Sequence, residues 1–199
     1  SARCGRGHSE QPANSAAVEV DTLPGTQHRY SGGGYTVFQT AMEDIRQQPF
    51  PSLMEELILN PIGMSQSTFA APLPESLSAL AATGHQSNGE PIEGRYYNHP
   101  EQAAASLWTT PSELAAFYLA MMDGWHGKPN SILSQSLARE CLTDHSNGAS
   151  QPWGLGFTLY PHEGQPLGFG HSGDNMGFHS QSMGLLDGRG AVVMTNGDK

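Results

Sequence analysis

Apolar residues recur at helical spacing in the first two thirds of the chain and at strand spacing only after Trp153. Val37, Phe38, Ala41, Met42 and Ile45 predict an amphipathic helix behind Ser31-Gly32-Gly33-Gly34. That helix should end near Gln48, because Pro49 disfavours α geometry in the residue before it. Leu53, Met54, Leu57 and Ile58 predict a second short helix, stopped by Pro61 and Gly63. The Met and Phe residues between 37 and 64 read as core. Thr110-Pro111-Ser112-Glu113 opens a third helix: Thr110 caps, Pro111 suits the first helical position and Glu113 completes a capping box. Its buried stripe is Leu114, Phe117, Tyr118 and Met121, with Gly124 just past its end. A further helix runs from Ser134 to about Leu142.

Four short runs follow, 154–160, 167–171, 178–186 and 191–195, separated by Gly, Asp and Pro. They predict an antiparallel sheet, with a hairpin turn at Asp187-Gly188-Arg189-Gly190. Helices first and strands last imply an α+β fold, with a sheet that nothing later in the chain covers. Residues 1–17 read as loop, with a short strand at Val18–Val20 and a turn at Leu23-Pro24-Gly25. Residues 70–107 hold several Pro and Gly but are too many for a structureless loop. They should form a short helix around Glu75–Ala82 or cover a site.

Composition narrows the function. The net charge is −10, and no run of Lys or Arg exists, so the footprint of a nucleic-acid binder is absent and anionic lipid would be repelled. No apolar run approaches the roughly 18 residues of a membrane span. No signal peptide is visible, and neither compartment nor oligomeric state can be read. Cys4 and Cys141 match no metal spacing, and no disulfide is expected between them. His85, His99 and His162 read as surface residues.

Common catalytic signatures are missing. There is no His-Glu-x-x-His and no Walker loop. Gly170-His171-Ser172-Gly173-Asp174 falls one glycine short of a nucleophile elbow, and strand-like residues follow where an elbow needs a helix.

Four segments in order carry more. They are Arg29-Tyr30-Ser31-Gly32-Gly33-Gly34-Tyr35, then Asn60-Pro61-Ile62-Gly63-Met64 with Ser67-Thr68-Phe69, then 105–114, and last Gly170-His171-Ser172-Gly173 with Gly177-Phe178. Together they resemble the serine β-lactamase-like and penicillin-binding-protein-like hydrolases, which include class C β-lactamases, D-alanyl-D-alanine peptidases and esterases. The resemblance runs from about Pro12 to the end and leaves residues 1–11 as an unmatched leader. It implies that residues 1–199 are part of a single domain: an antiparallel sheet with a helical lobe, lacking the nucleophile helix and the terminal helix.

By the same resemblance, Tyr30 is the tyrosine that assists proton transfer. His171-Ser172-Gly173 is the triad on the opposite wall, and Asp174 offers its backbone N–H to the oxyanion hole. Gly32 stands where many members have Asn, so one contact to a substrate amide is lost. The only lysines are Lys128 and Lys199, and neither follows a serine by three residues. The family's Ser-x-x-Lys is therefore not in these residues, and the nucleophile is expected upstream of them. The implied substrate is a small molecule or peptide-like ester, amide or lactam, with no metal or organic cofactor. Two other readings stay open: a non-catalytic binding or regulatory module on the same scaffold, and a hydrolase that uses Ser172 and His171 alone.

Overall fold

A computed structural model describes residues 17–129 and 132–198. The helical part begins with α1 (Gly32–Arg46), capped by Ser31, whose Oγ accepts from Gly34 N at 3.0 Å. The glycines lie inside the helix rather than ahead of it. Its predicted apolar stripe does not face the rest of the described chain: Val37, Phe38 and Ile45 are all more than half exposed. The opposite, polar face makes the contacts. Gln39 Oε1 accepts from Ala103 N at 3.0 Å, and Glu43 Oε1 accepts from Phe50 N at 2.8 Å. Periodicity reveals that a stripe exists but not which side meets the neighbouring elements, so reading Phe38 as core was wrong.

Phe50 to Ile62 is one continuous helical run: α2 (Phe50–Met54), a π-turn (Glu55–Leu59) and α3 (Asn60–Ile62). Pro61 does not stop it. A proline ring clashes with the carbonyl four residues back, and a π-turn gives the backbone room. Asn60 N–H bonds Glu55 O across that turn. The inserted residue shifts the buried face from the predicted Leu57 to Leu59, which is buried, as are Phe50, Leu53 and Met64. Gly63, at φ 82°, ends the run in the left-handed region, where glycine avoids strain.

Residues 70–107 contain only two single-turn helices, α4 (Glu75–Ser78) and α5 (Gln102–Ala105). The rest is pinned by side chains. Arg95 donates to the carbonyls of Ser78 and Ala81, and Tyr96, Trp108 and Phe178 stack edge to face. His85 is not a free surface residue: its Nδ1 lies 2.9 Å from Asn196 O and holds the chain as it leaves the last strand. No strand forms at Val18–Val20; instead Val18 lies against Gly33.

The long helix α6 (Pro111–His126) starts as predicted, with Thr110 Oγ1 accepting from Glu113 N at 3.2 Å. The Glu113 carboxylate does not close the capping box. It accepts from Gln66 N at 3.0 Å and from Ser67 Oγ at 2.5 Å, tying the helix to the preceding loop. Gly124 is buried within the helix, which ends at Gly127. α7 (Gln135–Cys141) follows, capped by Ser134.

The sheet runs β1 (Thr158–Tyr160), β2 (Gly168–Asn175), β3 (Phe178–Leu185) and β4 (Gly190–Thr195), all antiparallel in that spatial order. α6 covers one face. Tyr118, Met121 and Met122 pack there with Leu142, Phe157, Leu159, Phe169 and Leu186. Each such large apolar side chain contributes about 1.5–3 kcal/mol when fully buried. On the other face Met183 and Val193 are exposed among the described residues.

Two glycines let helix and strands approach. A Cβ on Gly184 would stand 2.5 Å from Met122 Cε and 3.1 Å from Tyr118 Cδ1, and one on Gly170 would stand 2.3 Å from Ser182 O. Gly184→Ala should therefore lower stability by about 1–3 kcal/mol, the usual cost of overpacking. Gly32→Ala is the control, since its nearest neighbour would be 3.9 Å away. Denaturant midpoints check this; equal midpoints for the two variants would contradict the packing.

Candidate active site

Tyr30 and His171, far apart in sequence, meet beside β2. Their ring centroids are 5.9 Å apart. Tyr30 is the residue just before the cap of α1, and it is 64% exposed. His171 lies in β2. Its backbone is fixed from the helix side: Ser182 Oγ donates to His171 O at 2.9 Å, and Tyr118 OH lies 2.8 Å from that Ser182 Oγ. Because Ser182 gives its proton to the carbonyl, Tyr118 supplies the proton of the second bond. Burial raises the Tyr118 hydroxyl above its ordinary value, so it stays a donor. The His171 Nδ1 also contacts the carbonyl of Ser172.

Strand alternation separates the predicted site residues. His171 and Gly173 share the face toward α6, whereas Ser172 and Asp174 point to the other. The pairing agrees: His171 is opposite buried Ser182, while Asp174 is opposite His179 and lies 3.3 Å from its Nδ1. The Asp174 carboxylate is 81% exposed. Gly173 packs over Ser180, where a Cβ would meet Oγ at 2.5 Å. Gly32 begins α1 with space around it.

β1 stops at its pairing with Gly170. From His171 to Asn175, no described strand pairs with that edge of β2, so its backbone groups are open beside the two rings. The far end of this stretch is held by Asn175, whose Nδ2 donates to Ala105 O at 3.0 Å. α5 is itself bound to α1 through Gln39, which places the Tyr30 side and the β2 side on one frame.

Two residues that sequence reasoning passed over join the site. Trp153 lies 5.7 Å from both Tyr30 and His171, and His28 stacks on Trp153 at 5.3 Å and 22°. Trp153 is missed because it reads as the residue before a strand. In fact 154–156 is a turn that brings the indole back against β2. His28 could have been noticed as a ring at even spacing from Tyr30 on an extended segment. Nearby, Tyr35 tucks its hydroxyl against Gly156, and burial raises its pKa, with Tyr30 adding to the shift.

The Trp153 backbone is pinned by Asp144. That carboxylate accepts from Ser146 Oγ at 2.5 Å, from Ser146 N at 2.8 Å and from Trp153 N at 3.4 Å. These bonds, led by the Ser146 hydroxyl, hold it below the ordinary 3.8. A carboxyl depressed on folding stabilises fully above its unfolded value and loses that contribution as pH falls through the folded one. Asp144→Asn should therefore weaken the folded chain at neutral pH, moving its denaturant-unfolding signal to lower denaturant, and the gap to the wild type should close as pH falls below about 3.8. A variant signal matching the wild type at pH 7 would refute this tether.

Among the described residues no cluster of His, Cys, Asp and Glu could hold a metal ion, and no helix is long and apolar enough to cross a membrane. Comparison with known proteins identifies a relationship. A β-lactamase family model matches residues 8–199. Solved structures of similar fold include a D-alanine carboxypeptidase from Burkholderia cenocepacia, 20% identical, with a TM-score of 0.73 over 92% of this chain and 59% of that one. A D-stereospecific amidohydrolase from Streptomyces sp. is 21% identical, with a TM-score of 0.73 over 91% of this chain and 54% of that one. An octameric penicillin-binding protein homologue from Pyrococcus abyssi is 19% identical, with a TM-score of 0.71 over 88% and 40%. This chain thus spans about 40–59% of the length of these relatives. A search of curated proteins finds no match.

Proposed function

The chain belongs to the β-lactamase family, and from that premise we propose that it supplies two walls of a serine hydrolase site working by acyl-enzyme transfer. The observation that carries this is the 5.9 Å approach of Tyr30 to His171 beside an open strand edge. Tyr30, as phenol or phenolate, relays the proton that the nucleophile loses on attack and the leaving group gains. His171 orients the substrate or stabilises charge near the leaving group. The Asp174 backbone N–H donates to the oxyanion; its carboxylate, turned away, takes no part. Water then cleaves the acyl ester.

The substrate is an ester, amide or β-lactam. The relatives named for D-alanine and for D-stereospecific amide hydrolysis point to small peptide-like substrates. Gly32, where the family often has Asn, weakens the case for an amide. No Ser-x-x-Lys occurs in the 199 residues, so the attacking serine is not supplied by them. The alternative, a ligand-binding module on a hydrolase scaffold, holds if no Ser-x-x-Lys lies upstream in the natural protein. Ser172 as an internal nucleophile is disfavoured, because adjacent residues of β2 face opposite sides and His171 cannot take its proton.

Two measurements test the proposal. The 199-residue chain should not turn over nitrophenyl esters or a chromogenic cephalosporin; turnover abolished by Ser172→Ala would overturn the assignment. In a longer protein with Ser-x-x-Lys upstream, Tyr30→Phe should slow acylation by about 10²-fold or more. An unchanged acylation rate would remove Tyr30 from the mechanism.

A further inference from the structure

We propose that Asn147 is a site of spontaneous deamidation, and that its conversion to a carboxylate unties the arm that carries Tyr30. The chain holds three Asn-Gly pairs, Asn88-Gly89, Asn147-Gly148 and Asn196-Gly197. Such pairs are open to this reaction because glycine has no side chain to shield its backbone nitrogen. That nitrogen attacks the asparagine Cγ and gives up its proton to water. Nδ2 leaves as ammonia, and a five-membered succinimide remains. Water then opens the ring at either carbonyl, giving aspartate or isoaspartate. The fold must offer two things: a free glycine nitrogen and an asparagine amide that can turn.

Two of the pairs fail these conditions. Gly89 N donates to Gln86 O at 2.8 Å, and Glu90 holds both ends of the Asn88 amide, its N–H donating to Oδ1 at 2.9 Å and its carboxylate accepting from Nδ2 at 3.3 Å. Asn196 Nδ2 donates to Thr83 O at 2.9 Å, and Asn196 O accepts from His85 N at 3.0 Å. Beyond Gly197, Asp198 N donates to His85 O at 2.8 Å, so that pair is clamped on both sides. Asn147 differs. Ser146 to Ala149 form a tight turn closed by Ala149 N to Ser146 O at 3.1 Å, with φ 51° at Asn147 and 80° at Gly148. Gly148 N makes no hydrogen bond among the described residues, and nothing lies within 4 Å of where its Cβ would stand. The exposed Asn147 amide makes one bond there, from Nδ2 to Gly25 O at 3.1 Å. Among the described residues that is also the one hydrogen bond from 17–28 to the rest of the chain. The others are internal to the arm, Arg29 to Asp21 and Thr26 to Leu23 O. Deamidation replaces the donor with a carboxylate that repels the Gly25 carbonyl. The arm is then held by packing alone, His28 and Tyr30 on Trp153 and Val18 on Gly33. On the hydrolase reading this loosens the wall that carries Tyr30; the modification itself does not rest on that reading.

The test uses the 199-residue chain and needs no turnover. The chain is held for days at mildly alkaline pH, and peptide mapping by mass spectrometry separates Asn, Asp and isoAsp at the three pairs. In the folded chain Asn147 should convert about tenfold faster than Asn88 or Asn196, the scale of the hydrogen bonds that must open first at those two. In denaturant the three should convert at similar rates. Intact and deamidated chains, separated by ion exchange on the added charge, are then compared for trypsin cleavage after Arg29. The deamidated chain should be cut about three- to tenfold faster, the scale of one lost hydrogen bond that held the arm. Asn147→Asp should behave as the deamidated chain does. Conversion first at Asn88 or Asn196, none at Asn147, the same Asn147 preference in denaturant, or equal trypsin rates would each overturn the proposal. Tyr30→Phe should leave the conversion rate of Asn147 unchanged, so loss of the catalytic reading and loss of this one give different results.

Discussion

The site depends on one buried relay of hydrogen bonds, from the Tyr118 hydroxyl to Ser182 Oγ and on to the carbonyl of His171. It joins the long helix to the middle of the sheet and fixes the strand that carries His171. Buried polar groups of this kind cost about 1–3 kcal/mol each if left unpaired, so the relay holds helix and strands in one register. The glycines at 170 and 184 make it possible, since side chains at either position would push the strands or the helix away. Ring packing finishes the lock: Tyr118 stacks on Phe169 at 5.4 Å, and Phe169 meets Phe157 edge-on.

The two sides of the candidate site are therefore unequal. The backbones of His171 and Trp153 are hydrogen-bonded, the first to the relay and the second to the Asp144 carboxylate. Tyr30 and His28 come from an extended, exposed arm that leans on them. The proposed acyl transfer would use that asymmetry, one wall aiming hydrogen-bond donors while the other admits a substrate.

Much of the architecture was legible because local chemistry and tertiary packing agree. Thr110 and Ser134 cap helices as their types dictate, and Asp187-Gly188 turns a hairpin. The order of helices before strands and the Tyr30 and His171 motifs also pointed to the right family. What failed has physical reasons. The stripe of Val37, Phe38 and Ile45 is real, yet the hydrogen bonds that Gln39 and Glu43 accept turn the opposite face inward. Pro61 carries the local signal of a stop, but a π-turn absorbs it. Glu113 has the position of a capping-box residue, whereas a distant loop claims its carboxylate. Trp153 and His28 escaped notice because their role exists only once a turn and an arm meet in space.

The central claim is that Tyr30 and His171 face one another across a single site. The most direct measurement is a nuclear Overhauser spectrum of the chain in solution with the Tyr30 and His171 ring signals assigned. At a centroid separation of 5.9 Å, cross-peaks should connect the Tyr30 ring to the imidazole protons of His171, and both to the Trp153 indole. A folded chain in which Tyr30 shows contacts only to the arm, and none to His171 or Trp153, would contradict the account.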